Sequence, residues 1–231
     1  MTIADNVKHI REKTAEAALK SGCEAKDILL IAAAKKNPAE RVQEAICAGV
    51  DAVGENRVQE MLEKNSQGAY KGAPLHFIGH LQSNKVRNIV GLCQLIESVD
   101  SDNLIEQIGQ RAILSGIKQD ILIEVNIGRE ANKSGVLAEN LDFLLEKAGQ
   151  NAGVRVRGLM AIPPLAAHLN ETRNYFDEMF KLFVDIRAKK YDNISMNFLS
   201  MGMSDSYTEA IAAGANMIRV GTAIFGRRHY E

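Results

Sequence analysis

The chain has 231 residues, 46% of them hydrophobic and 25% charged, with a formal net charge of -1. Length and composition fit one sizeable globular core, near the usual size of an eight-stranded α/β barrel. The balanced charge excludes the basic excess of a nucleic-acid-binding protein and the acidic run of a solvating tail. The amino-terminal stretch MTIADNVKHIREKTAEAALK is charged and helical in pattern, with no apolar h-region, so no signal peptide is expected. The longest apolar runs, such as 28–34, are too short to span a bilayer, so no membrane partner is expected. Cys23, Cys47 and Cys93 share no CxxC spacing. They read as small apolar residues in a reducing cytoplasm, not as a disulfide framework or zinc site.

In chain order, Ile3, Val7, Ile10 and Ala17 mark one face of a first helix, which Gly22 ends. Short apolar runs then alternate with amphipathic stretches. The runs predict strands at 28–34, 52–54, 75–78, 92–98, 120–126, 154–160, 195–200 and 217–220. Between them, Val42, Ala45, Ile46 and Gly49 have helical spacing. So do Leu137, Leu141, Leu144, Leu145 and Ala148, and again Tyr175, Phe176, Met179, Phe180, Phe183 and Ile186. Ser83-Asn84-Lys85 reads as the first turns of another helix. Strand–helix alternation predicts a parallel sheet with helices outside, and eight strands predict closure as a single (β/α)8 TIM barrel of the α/β class. An open doubly wound sheet is the rival. No linker or repeat divides the chain, so one domain over 1–231 is expected.

Chemistry in such barrels sits where strands end. Lys35 ends the first strand, and alternation puts it on one face with Leu29, Ile31 and Ala33. If that face is the lumen, desolvation favours a neutral amine able to form a Schiff base with an aldehyde. Ala32, Ala33 and Ala34 would leave room for a planar ring. The plainer reading is a solvated lysine beside Lys36. The seventh and eighth strand ends, Ser200-Met201-Gly202-Met203-Ser204 and Gly221-Thr222, carry the glycines and hydroxyls of a phosphate cradle, with a helix starting near Asp205; they also suit ordinary turns. Arg219 lies inside an apolar strand and needs a partner, either a core carboxylate or a ligand. Asn56 and His80 are rim groups that can contact a ligand or cap a loop. Lys133 and Arg227-Arg228-His229 read as solvated charge. His9, His76, His80, His168 and His229 have no metal-ligand spacing, and no HExxH, GxSxG or Walker pattern occurs.

The segments GENRVQE, HFIGHLQSNKVR, EVNIGREANKSG, RGLMAI, LSMGMSDS and IRVGTAIFG resemble the YggS/PROSC family of PLP-binding, PLP-homeostasis proteins. The match runs from the first strand to the carboxyl terminus. The resemblance implies the barrel domain of alanine racemase, PLP fold type III, with pyridoxal 5′-phosphate (PLP) as cofactor. It places the cofactor lysine on Lys35, the phosphate segments on Ser200 to Gly202 and on Gly221-Thr222, the GEN asparagine on Asn56, and the last-strand arginine on Arg219. Departures are Ala34 for a serine, Asn37 for a lysine, Arg57 for a tyrosine, and Ser206 for the second of two acidic residues after the phosphate-site serine.

The resemblance also implies that Arg219 faces the pyridine nitrogen. A guanidinium can only donate there, which weakens the ring as an electron sink. The expectation is therefore PLP buffering and delivery to apo-enzymes by a cytoplasmic monomer without turnover of its own. Two alternatives stand beside it. One is a weak racemase with Tyr207 as second base. The other is a Schiff-base aldolase acting on a phosphosugar.

Overall fold

The computed structural model describes residues 1–164, 169–189 and 191–226. His168 and Arg227-Arg228-His229 lie outside them.

Helix α1 (Ile3–Lys20) begins on a capping box. Thr2 Oγ1 accepts from the Asp5 N–H at 3.1 Å, and Asp5 Oδ2 accepts from the Thr2 N–H at 2.9 Å. Its face of Ile3, Val7, Ile10, Thr14 and Ala17 is buried. Eight parallel strands follow: β1 (Leu29–Ala33), β2 (Ala52–Glu55), β3 (Leu75–Phe77), β4 (Leu95–Val99), β5 (Gln119–Glu124), β6 (Val154–Met160), β7 (Ile194–Ser200) and β8 (Met217–Val220). Each pairs with the next, and β8 pairs with β1, so the barrel is closed. The helices are α2 (Ala39–Cys47), α3 (Val58–Ser66), α4 (Asp102–Leu114), α5 (Leu141–Gln150), α6 (Leu169–Lys189), α7 (Tyr207–Ala212) and α8 (Thr222–Phe225). The predicted barrel with an extra amino-terminal helix is what forms.

Alternation along the strands builds two cores. Leu29, Ile31, Ala52, Leu95, Leu122, Met160, Phe198 and Met217 fill the lumen. Leu30, Ala32, Val53, Phe77, Ile96, Ile121, Leu159, Leu199 and Ile218 point outward into the layer beneath the helices, against Val42, Ile105, Leu144 and Phe176. Burial on both faces explains why these strands read as continuous apolar runs.

Several boundaries differ from the sequence reading. The fourth strand starts at Leu95, because the Leu92 and Cys93 N–H groups both bond back to the Ile89 carbonyl in a turn. The fifth ends at Glu124; beyond it Val125 donates its N–H to the Met160 carbonyl at 2.8 Å and forms an isolated bridge with Val136. The stretch Ser83–Asn88 is a 3-10 helix, and another, Ala138–Asn140, precedes α5. Gly49 lies beyond α2 with φ +93°, where a side chain is strained.

Candidate functional site at the carboxyl rim of the barrel

Five neighbouring strand ends, those of β7, β8, β1, β2 and β3, carry all the rim residues singled out in the sequence. Ala33 pairs in register with Gly54, so Lys35 and Asn56 each stand two residues past a matched pair on adjacent strands. On the other side Ile31 pairs with Arg219, and a Cβ on Gly221 would lie 3.3 Å from the Ala33 carbonyl oxygen. Leu29 and Ile31 do face the lumen, which puts Ala33 and Lys35 on the lumen side by alternation. Lys35 is nevertheless exposed. The expected burial of Lys35 at the rim is therefore corrected: it stands past Ala33, the last residue of β1, as an exposed side chain. Of the three alanines before it, Ala32 and Ala34 point into the outer layer and only Ala33 lines the lumen side.

Asn56 is half-buried, and its Oδ1 is buried without a hydrogen-bond partner among the described residues. Gly79 backs it; a Cβ there would fall 2.2 Å from the Asn56 carbonyl oxygen, so the β3 end is fitted to the β2 end. His80 is exposed, with its Nδ1 3.1 Å from Ser134 Oγ in the loop after β5. Lys133 is paired with Glu130 at 2.5 Å in that loop.

At the end of β7, Ser200 is fully buried and its hydroxyl is turned into the lumen, which corrects its expected role as a donor in a phosphate cradle. Met201 is buried, and its N–H bonds the Met217 carbonyl at 3.1 Å. Gly202 has φ +91°, and a Cβ there would lie 2.6 Å from the Ala210 Cβ. This turn therefore requires glycine twice over, by conformation and by space. Ser204 Oγ accepts from the N–H groups of Gly221 and Ala223, each at 3.2 Å, and so ties the two loops together. Thr222 is exposed as the first residue of α8. The helix expected near Asp205 starts at Tyr207, with Ser206 as its cap. Tyr207 is half-buried and packs with the outer layer; burial first, then Glu209, pushes its phenol pKa up.

One step above the apolar plug lies a ring of polar side chains that the sequence reading took only in part. Leu95 is followed on its face by Glu97, Leu122 by Glu124, Phe198 by Ser200 and Met217 by Arg219. Arg219 donates to Ser200 Oγ at 2.5 Å and to the Ala161 carbonyl at 2.9 Å. Its nearest anion is Glu97 Oε2 at 3.9 Å. Glu97 also accepts from Ser200 Oγ at 2.6 Å, and its Oε1 lies 2.7 Å from His76 Nδ1. Burial pushes the Glu97 carboxyl up, yet His76, Arg219 and Ser200 together bring it below its ordinary value. Glu124 lacks comparable help: burial and the nearby Asp100 push it up to about 7, against the pull of Arg219. Glu97 and Glu124 had the same signal as Arg219, an ionisable residue inside an apolar strand.

A second buried network flanks Lys35 from outside the barrel. The Lys64 Nζ donates to Glu55 Oε1 at 2.7 Å and to the Ala34 carbonyl at 2.9 Å, and pairs with Glu60 Oε1 at 2.7 Å. The Tyr70 hydroxyl also donates to Glu55, at 3.1 Å. Burial raises the Glu55 carboxyl pKa and Lys64 opposes that shift. Among the described residues no group of three or more His, Cys, Asp or Glu is arranged to hold a metal ion, and no helix is long and apolar enough to cross a membrane.

A closed parallel barrel with a lysine and an amide on adjacent strand ends and a buried arginine on the last strand is an α/β barrel with a candidate binding site at its carboxyl rim. Residues 2–229 match the family model of the alanine racemase N-terminal domain, and the chain belongs to that family. A pyridoxal phosphate homeostasis protein of Aquifex aeolicus is 38% identical over 230 residues, covering 100% of both chains. The structure of PipY from Synechococcus elongatus with PLP bound matches at TM-score 0.82 and 33% identity, covering 97% of this chain and 100% of that one. An unknown protein from Bifidobacterium adolescentis matches at TM-score 0.91 and 34% identity, covering 96% of this chain and 94% of that one.

Proposed function

We propose that this protein binds PLP as a Schiff base on Lys35 and serves intracellular PLP homeostasis, buffering the cofactor and delivering it to apo-enzymes without turnover of its own. The observation that carries the reading is the pairing of a strand-end lysine with a buried, unsatisfied Asn56 amide oxygen on the neighbouring strand. A buried polar atom without a partner is costly, and a ligand with polar ring substituents at this rim would satisfy it. The relatives' names and the PLP in PipY support the same ligand.

The residues present fit that group. Lys35 would hold it covalently through its amine, as a Schiff base. Asn56 and His80 would border the ring. The loops Ser200-Met201-Gly202 and Gly221-Thr222 would surround the phosphate through backbone groups, since the Ser200 hydroxyl is engaged in the lumen. Arg219 would face the ring nitrogen as a donor, held by Ser200, Ala161 and Glu97. When bound, PLP supplies an aldehyde that passes from one amine to another. An exposed lysine suits exchange with incoming amines and acceptor proteins. A racemase would need a base on each face of its substrate. Tyr207 packs against the outer layer, which argues against it as that second base. In this reading the chain acts as a single cytoplasmic domain and as a monomer, with apo PLP enzymes as partners.

The test is the visible absorption spectrum of purified protein with added PLP, before and after borohydride, followed by peptide mapping. A band abolished by borohydride, with the pyridoxyl group on Lys35, is expected. A label on another lysine, or no band, overturns the site, and steady amino-acid turnover at enzyme-like rates overturns the carrier role.

A further inference from the structure

The end of β1 is held by charged side chains that the binding site itself does not use. Ala34 donates its N–H to the Gly54 carbonyl at 2.9 Å, as a ladder residue does. Its own carbonyl, past the end of the ladder, accepts from the Asn37 N–H at 3.0 Å and from Lys64 Nζ at 2.9 Å. The Lys36 N–H bonds to Glu60 Oε1, and Lys36 stands at φ +61°, a conformation that non-glycine residues seldom adopt. Lys35 is thus bracketed. The residue before it is fixed by a buried ammonium and the residue after it by a carboxylate. Those two charges are one helical turn apart on α3 and pair with each other at 2.7 Å.

Lys64 is 5% exposed; its ammonium donates to Ala34 O and Glu55 Oε1 and forms an ion pair with Glu60 Oε1. A buried ion pair contributes little net stability compared with apolar packing. Its value here is geometric: charge-assisted hydrogen bonds are short and directional. Glu55 immediately precedes Asn56, so one ammonium links the backbone next to both rim groups.

We infer that Lys64, together with Glu60, is a positioning residue that aims Lys35 for Schiff-base formation by clamping the backbone on either side of it. This inference rests on the function proposed above. The test compares wild type with Lys64→Met and Glu60→Ala in two titrations. PLP reports covalent attachment through absorbance and borohydride trapping. Pyridoxine 5′-phosphate, which has no aldehyde, reports binding of ring and phosphate alone. Each variant is expected to lose about tenfold in the equilibrium for covalent attachment, while pyridoxine 5′-phosphate affinity stays within about twofold of wild type.

A merely structural network would lower the unfolding midpoint and leave covalent attachment in the folded protein untouched; that result overturns the inference. Equal losses for both ligands overturn it as well. If Lys64→Met does not fold, Glu60→Ala decides alone, because it removes the bond to Lys36 and keeps the buried Lys64–Glu55 pair. Absence of a Schiff base on Lys35 in wild type overturns the function itself. Normal attachment in both folded variants overturns only the role of the clamp.

Discussion

Glu97 Oε2 accepts from Ser200 Oγ at 2.6 Å, joining β4 to β7 across the lumen from positions 103 residues apart in the chain. The Arg219 guanidinium donates to the same hydroxyl, so the serine relays between a buried anion and a buried cation. None of the three is more than 4% exposed. Removing any one of them leaves a charge or a donor without its complement.

Arg219→Met is therefore expected to cost about 3–5 kcal/mol, the usual penalty for stranding one partner of a buried charged network. Urea unfolding followed by circular dichroism measures it. A loss below about 1 kcal/mol would mean that His76 and Ser200 suffice to hold the Glu97 charge.

Glu124 gives a pH dependence of opposite sign to that of Glu97. Its folded pKa of about 7 lies above the ordinary 4.5, so its contribution is fully present at acid pH and is lost as pH rises through 7. The shift corresponds to about 3 kcal/mol. Glu97, held below its ordinary value, contributes above that value and loses its contribution as pH falls. Glu124→Gln should remove the decline between pH 5 and 8 and raise stability at pH 8. Unfolding midpoints of the two proteins across that range check it, and an unchanged slope refutes it.

Asn56→Ala should separate stability from binding. It removes a buried oxygen that has no partner among the described residues. Stability is expected to stay level or rise by up to about 1 kcal/mol. Affinity for PLP is expected to fall by about tenfold, the worth of one good hydrogen bond in a site. Thermal unfolding and a PLP titration on the same sample give both numbers.

Gly202→Ala forces a Cβ against Ala210 at 2.6 Å in a backbone region that L side chains avoid. A loss of about 2 kcal/mol in stability is expected, with weakened binding of pyridoxine 5′-phosphate. The control is Gly22→Ala, where φ is +73° but no atom lies within 4 Å; it should cost less and leave binding unchanged.

The barrel was legible because burial on both faces writes each strand as an apolar run, and because Leu29 and Ile31 set the phase that carries Lys35 to the lumen side. Other features were hidden for identifiable reasons. The run at 92–98 overshot because Leu92 and Cys93 are apolar yet spend their N–H groups in a turn. The exposure of Lys35 depends on what surrounds the end of β1 in three dimensions, which a one-dimensional pattern does not show. Glu97 and Glu124 are visible in LIESV and DILIEV by the rule that picks out Arg219, an ionisable residue inside an apolar strand. Lys64 had no such signal. In VQEMLEKNS it looks like one more solvated charge on a polar helix, and only the meeting of α3 with the end of β1 shows it to be buried.

The seam between β1 and β8 also governs when this site comes into being. Lys35 leaves the ribosome just after the first strand, whereas Arg219 arrives on the last and Gly221 and Thr222 just after it. Asn6 of α1 waits equally long for its partner, the Ile224 carbonyl, 2.8 Å away and 218 residues downstream. On the proposed function, a nascent chain that stops short of residue 217 carries the Lys35 amine without Arg219, Gly221 and Thr222. A ligand that needs both ends of the chain recognises only finished molecules, and by mass action it stabilises those alone.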